Sequence, residues 1–297
     1  SGLPLSLLAE SVPESARPRF CGIHFFNPPR YMALVELIPC KTTDPAILDP
    51  LETFLVSTLG KGVVRAKDTP NFIANRIGVF SMAATIHHTQ AFGLSLDLVD
   101  ALTGPAIGRP KSATFRTADV VGLDTMGHVF KGSALALRDD PWRQYFNPPA
   151  SLNALIEKGA LGQKTKVGIY ANKGKQVLDT ATGEYRDAGA KPDAAVQALL
   201  KIRNPAEKIA ALRASDHPQA QFLWAIQRDV FHYAAVLLAE IADTARDVDF
   251  AIRWGFGWGM GPFEIWQAAG WRQVADWIEQ DIAAGKAMTK TPLPAWV

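Results

Sequence analysis

Long apolar runs, cysteines and an excess of one charge sign are all scarce in this chain, and each scarcity closes off a class of function. The longest tempting apolar stretch, HYAAVLLAEIA, is preceded closely by Asp229 and interrupted by Glu240, and it falls far short of the roughly 20 residues that cross a bilayer as a helix. The opening SGLPLSLLAES has neither the basic start nor the long apolar centre of a secretory leader. Two cysteines, Cys21 and Cys40, are too few for a disulfide framework. The expected setting is therefore the reducing cytoplasm, with both thiols packed as small hydrophobes. With 31 Lys and Arg against 29 Asp and Glu the net charge is +2, so no electrostatic reason points to nucleic acid or a membrane as partner. Nor is a metal expected: His87 and His88 are adjacent without a third ligand at metal spacing, and no zinc or calcium motif occurs.

What remains is a globular composition. A chain of 297 residues, 48% apolar and 20% charged, is long enough for two or three domains with cores of their own. Up to residue 67 the segments alternate in type: LPLSLLAES reads as helix, RFCGIHFF and MALVELI as strands, DPAILDPLETFLVSTLGK as an amphipathic helix and GVVRAK as a strand. Such alternation predicts one half of a parallel, doubly wound sheet. Beyond Asp68 the pattern turns helical. Thr69 and Pro70 supply a cap and a first-turn proline, which predicts a helix over about 71–92, with others near 96–102 and 113–130. GIYANKGKQVLDTATGEYR predicts a small hairpin with a Thr-Gly turn, and helices resume from Asp193. The expected fold is mainly α, with an α/β part over residues 1–68, a first helical domain over 69–168, a hairpin and linker over 169–205 and a second helical domain over 206–297.

The two helical parts resemble each other. VDALTGPAIGRPKSATFRTADVVG, ending at Gly122, parallels VDFAIRWGFGWGMGPFEIWQAAG, ending at Gly270. In both, an Asp on a helix is followed by a glycine-bearing turn, a Phe and a further helix closed by Gly. Duplication predicts two equivalent bundles packed against each other; a coincidence of two amphipathic segments is the alternative. In EIWQAAGWRQVADWIEQ, Trp266, Trp271 and Trp277 could pack a core or dock a partner, and helical spacing favours the core.

The chemistry concentrates in RFCGIHFFNPPRYMALVELIPC, residues 19–40, which reads as two short strands joined by a turn. His24 lies in the first strand and Glu36, twelve residues on, in the second. Both faces of MALVELI are apolar, so an unpaired carboxylate there is costly, and His24 is its nearest partner in sequence. A carboxylate bonded to one ring nitrogen fixes the imidazole tautomer and leaves the other nitrogen to take a proton from a substrate hydroxyl. That is a general-base dyad. A structural His–Glu bond, or a glutamate reaching solvent at a sheet edge, accounts for the same spacing. Asn75, inside NFIANRIGVF, is a poor helix former; a side-chain amide aimed at a bound oxygen and an interhelix hydrogen bond both explain it.

HFFNPPRYMALVELI followed by KDTPNFIANRI resembles the L-3-hydroxyacyl-CoA dehydrogenase family, over residues 1 to about 170, and the repeated bundle is similar to the tandem C-terminal region of bacterial multifunctional β-oxidation proteins. The resemblance implies a remnant of a Rossmann-type NAD-binding domain followed by a duplicated dehydrogenase C-terminal helical domain. It implies that His24 is the catalytic base, Glu36 its partner, and Asn75 the residue that positions the substrate's reacting oxygen. Ser1 aligns with a serine near both nicotinamide and acyl chain, Asn27 with a cofactor-contacting asparagine, and Lys164 with a lysine that reaches the cofactor from the helical domain. The implied reaction is hydride transfer from C3 of a 3-hydroxyacyl-CoA to NAD, in cytoplasmic fatty-acid β-oxidation. An acyl-CoA is the implied partner; a homodimer and an attached enoyl-CoA hydratase domain in the parent protein stay open.

The chain also departs from that family. The G-x-G-x-x-G turn of a dinucleotide site is absent, so the chain is expected to be a fragment that starts inside the NAD-binding domain and to bind no NAD measurably by itself. WGFGWGMGPFE, with glycines from Gly255 to Gly261, follows a helix and predicts a close-packed helix–helix turn rather than a phosphate cradle. GRPKSATF replaces the commoner GxPMGPFE, so Arg109 and Lys111 either touch a CoA phosphate or form a solvated basic turn; KTKVGIY lacks the usual glycine before Gly168. Two rival readings survive: a non-catalytic helical module for dimerisation or inter-domain contact, and a β-hydroxyacid dehydrogenase whose substrate lacks CoA.

Overall fold

A computed structural model describes residues 3–297. The fold is mainly α, with two small three-stranded sheets. Ser1 lies outside the described residues. Two compact units emerge, each assembled from separated pieces of chain: one from residues up to Gly78 with Phe231–Ile265 and Leu293–Val297, the other from Val79–Val230 with Trp266–Pro292. No helix among the described residues is long and apolar enough to cross a membrane.

The first unit is built on strands β1 (Cys21–Phe25), β2 (Leu34–Pro39) and β3 (Gly62–Arg65), with β2 in the middle. β1 runs antiparallel to β2 and β3 parallel to it, so the sheet is mixed rather than wholly parallel. Residues 26–33 are too few for a crossover, and a short connection can only return the chain antiparallel. The longer link to β3 contains the helix Leu48–Ser57, approached by a short turn that Asp44 caps by accepting from the Ala46 amide at 2.9 Å. Leu34, Val35, Leu37 and Ile38 are all fully buried, each contributing ~1.5–3 kcal/mol relative to exposure.

The helix Ala245–Phe256, far along the chain, packs on β2 and β3. Glycine makes the approach close: a Cβ on Gly62 would stand 2.5 Å from Trp254, and one on Gly255 2.7 Å from Leu34. The glycine-rich segment is therefore a packing turn, closed by Gly257 at φ +68°. Helix 71–92 was expected from the cap signals; it starts at Ala74. Asn71 (φ +65°) and Phe72 (φ +52°) take the left-handed conformation instead.

The second unit carries most of the remaining helices. The helix expected over 113–130 is two, Phe115–Val121 and Leu123–Ala136, because Gly122 breaks it at φ +99°. The expected hairpin is a three-stranded antiparallel sheet of β4 (Tyr170–Ala171), β5 (Gln176–Leu178) and β6 (Tyr185–Asp187). Trp266 is fully buried and stacks on Trp271 at 4.1 Å, while Trp277 meets Trp224 edge-on at 5.9 Å. His88 is also core: its Nε2 lies 2.6 Å from Asp229, which receives Arg228 at 2.8 Å. Burial pushes the Asp229 carboxyl up, but Arg228 and His88 overcome it and hold the value down at about 2.

Two buried aspartates act as hubs for helix starts. Asp100, on the helix Leu96–Thr103, accepts from the amides of Thr114, Phe115 and Arg116 at 2.7–3.0 Å and from the Tyr170 hydroxyl at 2.7 Å. Asp249, on Ala245–Phe256, accepts from the amides of Phe263 and Glu264 at 2.8 and 3.1 Å. Burial pushes both carboxyls up against these donors, to about 6 for Asp100 and about 7 for Asp249.

Candidate active site

The sheet register decides where the chemistry lies. His24 and Glu36 are direct partners across the β1–β2 ladder, so their side chains leave the same face. His24 Nδ1 stands 2.7 Å from Glu36 Oε2. Glu36 is fully buried, a position tolerable only with donors around the charge. Those donors are backbone: Oε1 accepts from the Ile73 amide at 3.0 Å and the Ala74 amide at 2.8 Å. The left-handed turn at Asn71 and Phe72 is what presents two successive N–H groups to one oxygen. A β-branched or aromatic residue at positive φ is strained, and Phe72 bears that strain beside the dyad.

Because the ionised carboxylate can only accept, the His24 tautomer follows from its partner: Nδ1 carries the hydrogen and Nε2 holds the lone pair. Nε2 has no partner among the described residues, and the side chain is 19% exposed. Phe26 and Phe72 flank the ring edge-on, with centroids at 4.7 and 5.4 Å. The imidazole is thus clamped on three sides and open at one nitrogen. Such a group can accept a proton from a hydroxyl brought to that opening.

Asn75 sits in the first turn of the helix whose approach holds Glu36. It is half-buried and its amide makes no hydrogen bond among the described residues, so it is available to a ligand oxygen. Asn27 is exposed, two residues past β1. Lys164 belongs to the second unit, where its ammonium is paired with both oxygens of Asp124 at 2.6 and 2.7 Å and draws the Asp124 carboxyl below its ordinary value. The structure therefore brings together His24 and Glu36, places Asn75 on the supporting helix, and leaves Lys164 engaged elsewhere.

Three contributors escape a reading of the sequence. The amides of Ile73 and Ala74 carry no side-chain signature. Arg76, 2% exposed, fixes the turn before it: Nε donates to the Tyr233 hydroxyl at 2.7 Å, Nη1 to the Pro70 carbonyl at 3.3 Å, and Nη2 pairs with Glu240 at 3.3 Å. An arginine inside an apolar helical stretch is the one signal that could have pointed to it, since so polar a group is buried only with partners.

Comparison with known proteins places these features. The 3-hydroxyacyl-CoA dehydrogenase, NAD binding domain family matches residues 1–69, and the 3-hydroxyacyl-CoA dehydrogenase, C-terminal domain family matches residues 72–172. A protein of Bacillus subtilis (strain 168) named as a probable 3-hydroxyacyl-CoA dehydrogenase is 44% identical over 94% of this chain and 36% of its own length. A Rickettsia felis protein named as a fatty acid oxidation complex trifunctional enzyme is 31% identical over 92% of this chain and 38% of its own. The chain thus spans little more than a third of the length of these two relatives. Among solved structures, 3-hydroxybutyryl-CoA dehydrogenase from Escherichia coli K12 superposes with a TM-score of 0.72 over 95% of this chain and 70% of that one, at 18% identity, a likeness of fold.

Proposed function

Because the chain belongs to the 3-hydroxyacyl-CoA dehydrogenase family, with a Rossmann-type part followed by a helical C-terminal part, we propose that it carries the proton-abstracting site for NAD-dependent oxidation of a 3-hydroxyacyl-CoA to the 3-oxoacyl-CoA. The observation that carries this reading is the 2.7 Å bond between His24 and a fully buried Glu36, with the second imidazole nitrogen left open. His24 Nε2 takes the proton of the 3-hydroxyl. Glu36 faces the imidazolium that forms, and the Ile73 and Ala74 amides keep that carboxylate from moving toward it. Asn75 donates to the reacting oxygen and holds it near Nε2. Phe26 and Phe72 keep water from the ring flanks.

NAD, when bound, supplies the hydride acceptor. The residues present fit its nicotinamide end: an imidazole with an unpartnered nitrogen, the exposed Asn27, and Ser1 by resemblance. They do not include a cradle for its phosphates, since no strand-to-helix glycine turn of the required spacing occurs in the sequence. Lys164, given a cofactor role by resemblance, is paired with Asp124 within the second unit.

Acyl-CoA as substrate and a place in fatty-acid β-oxidation are supported by the names of the relatives, and the free thiols Cys21 and Cys40 support a cytoplasmic setting. A hydratase domain in the parent protein is supported by the trifunctional name of the Rickettsia relative; a homodimer stays part of this reading. We further read residues 69–168 and 206–297 as two copies of one helical domain, with 1–68 the Rossmann-type part and 169–205 the link. The matching hubs support it: Asp100 and Asp249 each hold a helix start that begins with or next to Phe115 and Phe263, and each such helix is closed by a glycine at similar φ, +99° at Gly122 and +97° at Gly270.

In the complete enzyme, His24→Gln should lower kcat for a 3-hydroxyacyl-CoA by about a hundredfold to ten-thousandfold, while NAD affinity stays near that of the wild type. Turnover within a few-fold of wild type would remove His24 from the mechanism.

A further inference from the structure

The dehydrogenase reading leaves one strained and charged site in the second unit unused. Six non-glycine residues among those described have φ in the left-handed region: Asn71, Phe72, Ala113, Lys166, Asn172 and Lys173. The first two are accounted for by Glu36. Of the others, Lys166 (φ +64°), Asn172 (φ +49°) and Lys173 (φ +57°) line a single cavity of about 800 Å³, and Ala113 adjoins it through Ser112. Backbone strain of this kind persists where the surroundings impose it and gathers at functional sites. The volume falls within the range of about 300–1,000 Å³ found for small-molecule pockets.

The lining has a definite chemistry. Lys111, Arg116, Lys166 and Lys173 line the cavity together with one carboxylate, Asp119, whose two oxygens are already taken by the amides of Ile169 and Tyr170 at 2.8 Å each. The three lysines make no ion pair or hydrogen bond through their ammonium groups among the described residues. Arg116 lies over the Tyr170 ring, its Cζ 3.9 Å from the centroid, and donates no side-chain hydrogen bond among the described residues. Tyr170 cannot swing away, because its hydroxyl donates to Asp100 at 2.7 Å. The result is a guanidinium held against an aromatic face with its N–H donors unfilled, and a guanidinium can take a phosphate with two parallel bonds. Val120 and the Tyr170 ring add an apolar floor.

We propose that this cavity binds a small organic diphosphate, of the kind carried by a nucleotide, with Arg116 and the three lysines on the phosphates and Val120 and Tyr170 under the organic part. The inference stands independently of the His24 assignment. It also gives a reason for the missing glycine in KTKVGIY: Lys166, two residues before Gly168, holds a backbone conformation that glycine adopts freely, so the fold retains strain there and gains a charge at the cavity. The shared chemistry has two sources, a free nucleotide such as ADP and the 3′-phosphorylated ADP end of CoA.

Calorimetric titration of the 297-residue chain with ADP, CoA and inorganic pyrophosphate tests it, in the wild type, a Lys166→Gly/Lys173→Gly double variant and Arg116→Gln. Glycine relaxes both left-handed positions, so the double variant should keep or raise the Tm while losing two charges. The expected result is saturable binding of ADP or CoA whose affinity falls at least tenfold in both variants; the tighter of the two identifies the source. Absence of saturable nucleotide binding, binding of pyrophosphate alone, or a nucleotide affinity that the double variant leaves within threefold of wild type would overturn the proposal.

Discussion

At the residue scale the dyad is a problem of acceptors and donors. Glu36 supplies one oxygen to two backbone amides and the other to His24, and an amide can imitate only half of that. In Glu36→Gln the side-chain oxygen can still serve Ile73 and Ala74, so the fold should survive with a modest loss of stability. The nitrogen then faces Nδ1 as a donor, which selects the tautomer with its hydrogen on Nε2, the wrong nitrogen for a base. We expect kcat to fall by about a hundredfold or more, with circular dichroism unchanged; a kcat within threefold of wild type would mean that Glu36 is structural only. His24 and Glu36 were legible in the sequence because each is an ionisable group in an apolar strand, and strand pairing across a short turn constrains the register. The amides that stabilise Glu36 were not, because a backbone N–H reveals nothing of itself in a sequence and the left-handed turn at Asn71 and Phe72 has no glycine to announce it.

At the scale of elements, local signals located most helices and misplaced their limits for definite reasons. Thr69 and Pro70 promised a helix start, yet the amides of Ile73 and Ala74 are engaged by a carboxylate 37 and 38 positions away, and the helix waits until Ala74. Gly122 in the middle of an apolar stretch was a break, not a tolerated helical glycine. The Asp, Phe and Gly positions recur in order in the sequence, each of the two aspartates holds a helix start, and these hubs have a measurable consequence. A carboxyl that titrates higher in the fold than in the unfolded chain favours its protonated form, so its stabilising contribution is complete at low pH and is lost as pH rises through the folded value, about 7 for Asp249. Urea midpoints of the wild type should therefore decline between about pH 4 and about pH 7, and Asp249→Asn, which keeps an acceptor for the Phe263 amide but cannot ionise, should show a smaller decline. A variant whose midpoint tracks the wild type across that range would free Asp249 from the pH response.

At the scale of the whole molecule, no local pattern could reveal that the unit holding the dyad is completed by residues more than 150 positions away. Trp254 lies against Gly62, Phe256 against Gly78 and Gly255 against Leu34 and Ala74, while Arg76, which braces the turn beside Glu36, takes Tyr233 and Glu240 as partners. Each glycine permits a contact that is visible only once both partners are placed. The two family matches together end at residue 172, yet a chain cut there would expose the apolar surface of β2 and β3 that the helix Ala245–Phe256 covers, and would leave the Arg76 guanidinium without its phenol. Burial of an unpaired guanidinium is costly, and an uncovered apolar sheet seeks a partner. Residues 1–172 alone should therefore associate or lack a cooperative thermal transition, whereas the 297-residue chain should melt cooperatively; light scattering combined with calorimetry reads both. A monomeric 1–172 chain with a sharp transition would show that the distant helix is dispensable to the unit, and that the turn holding Glu36 is maintained by the first helical segment alone.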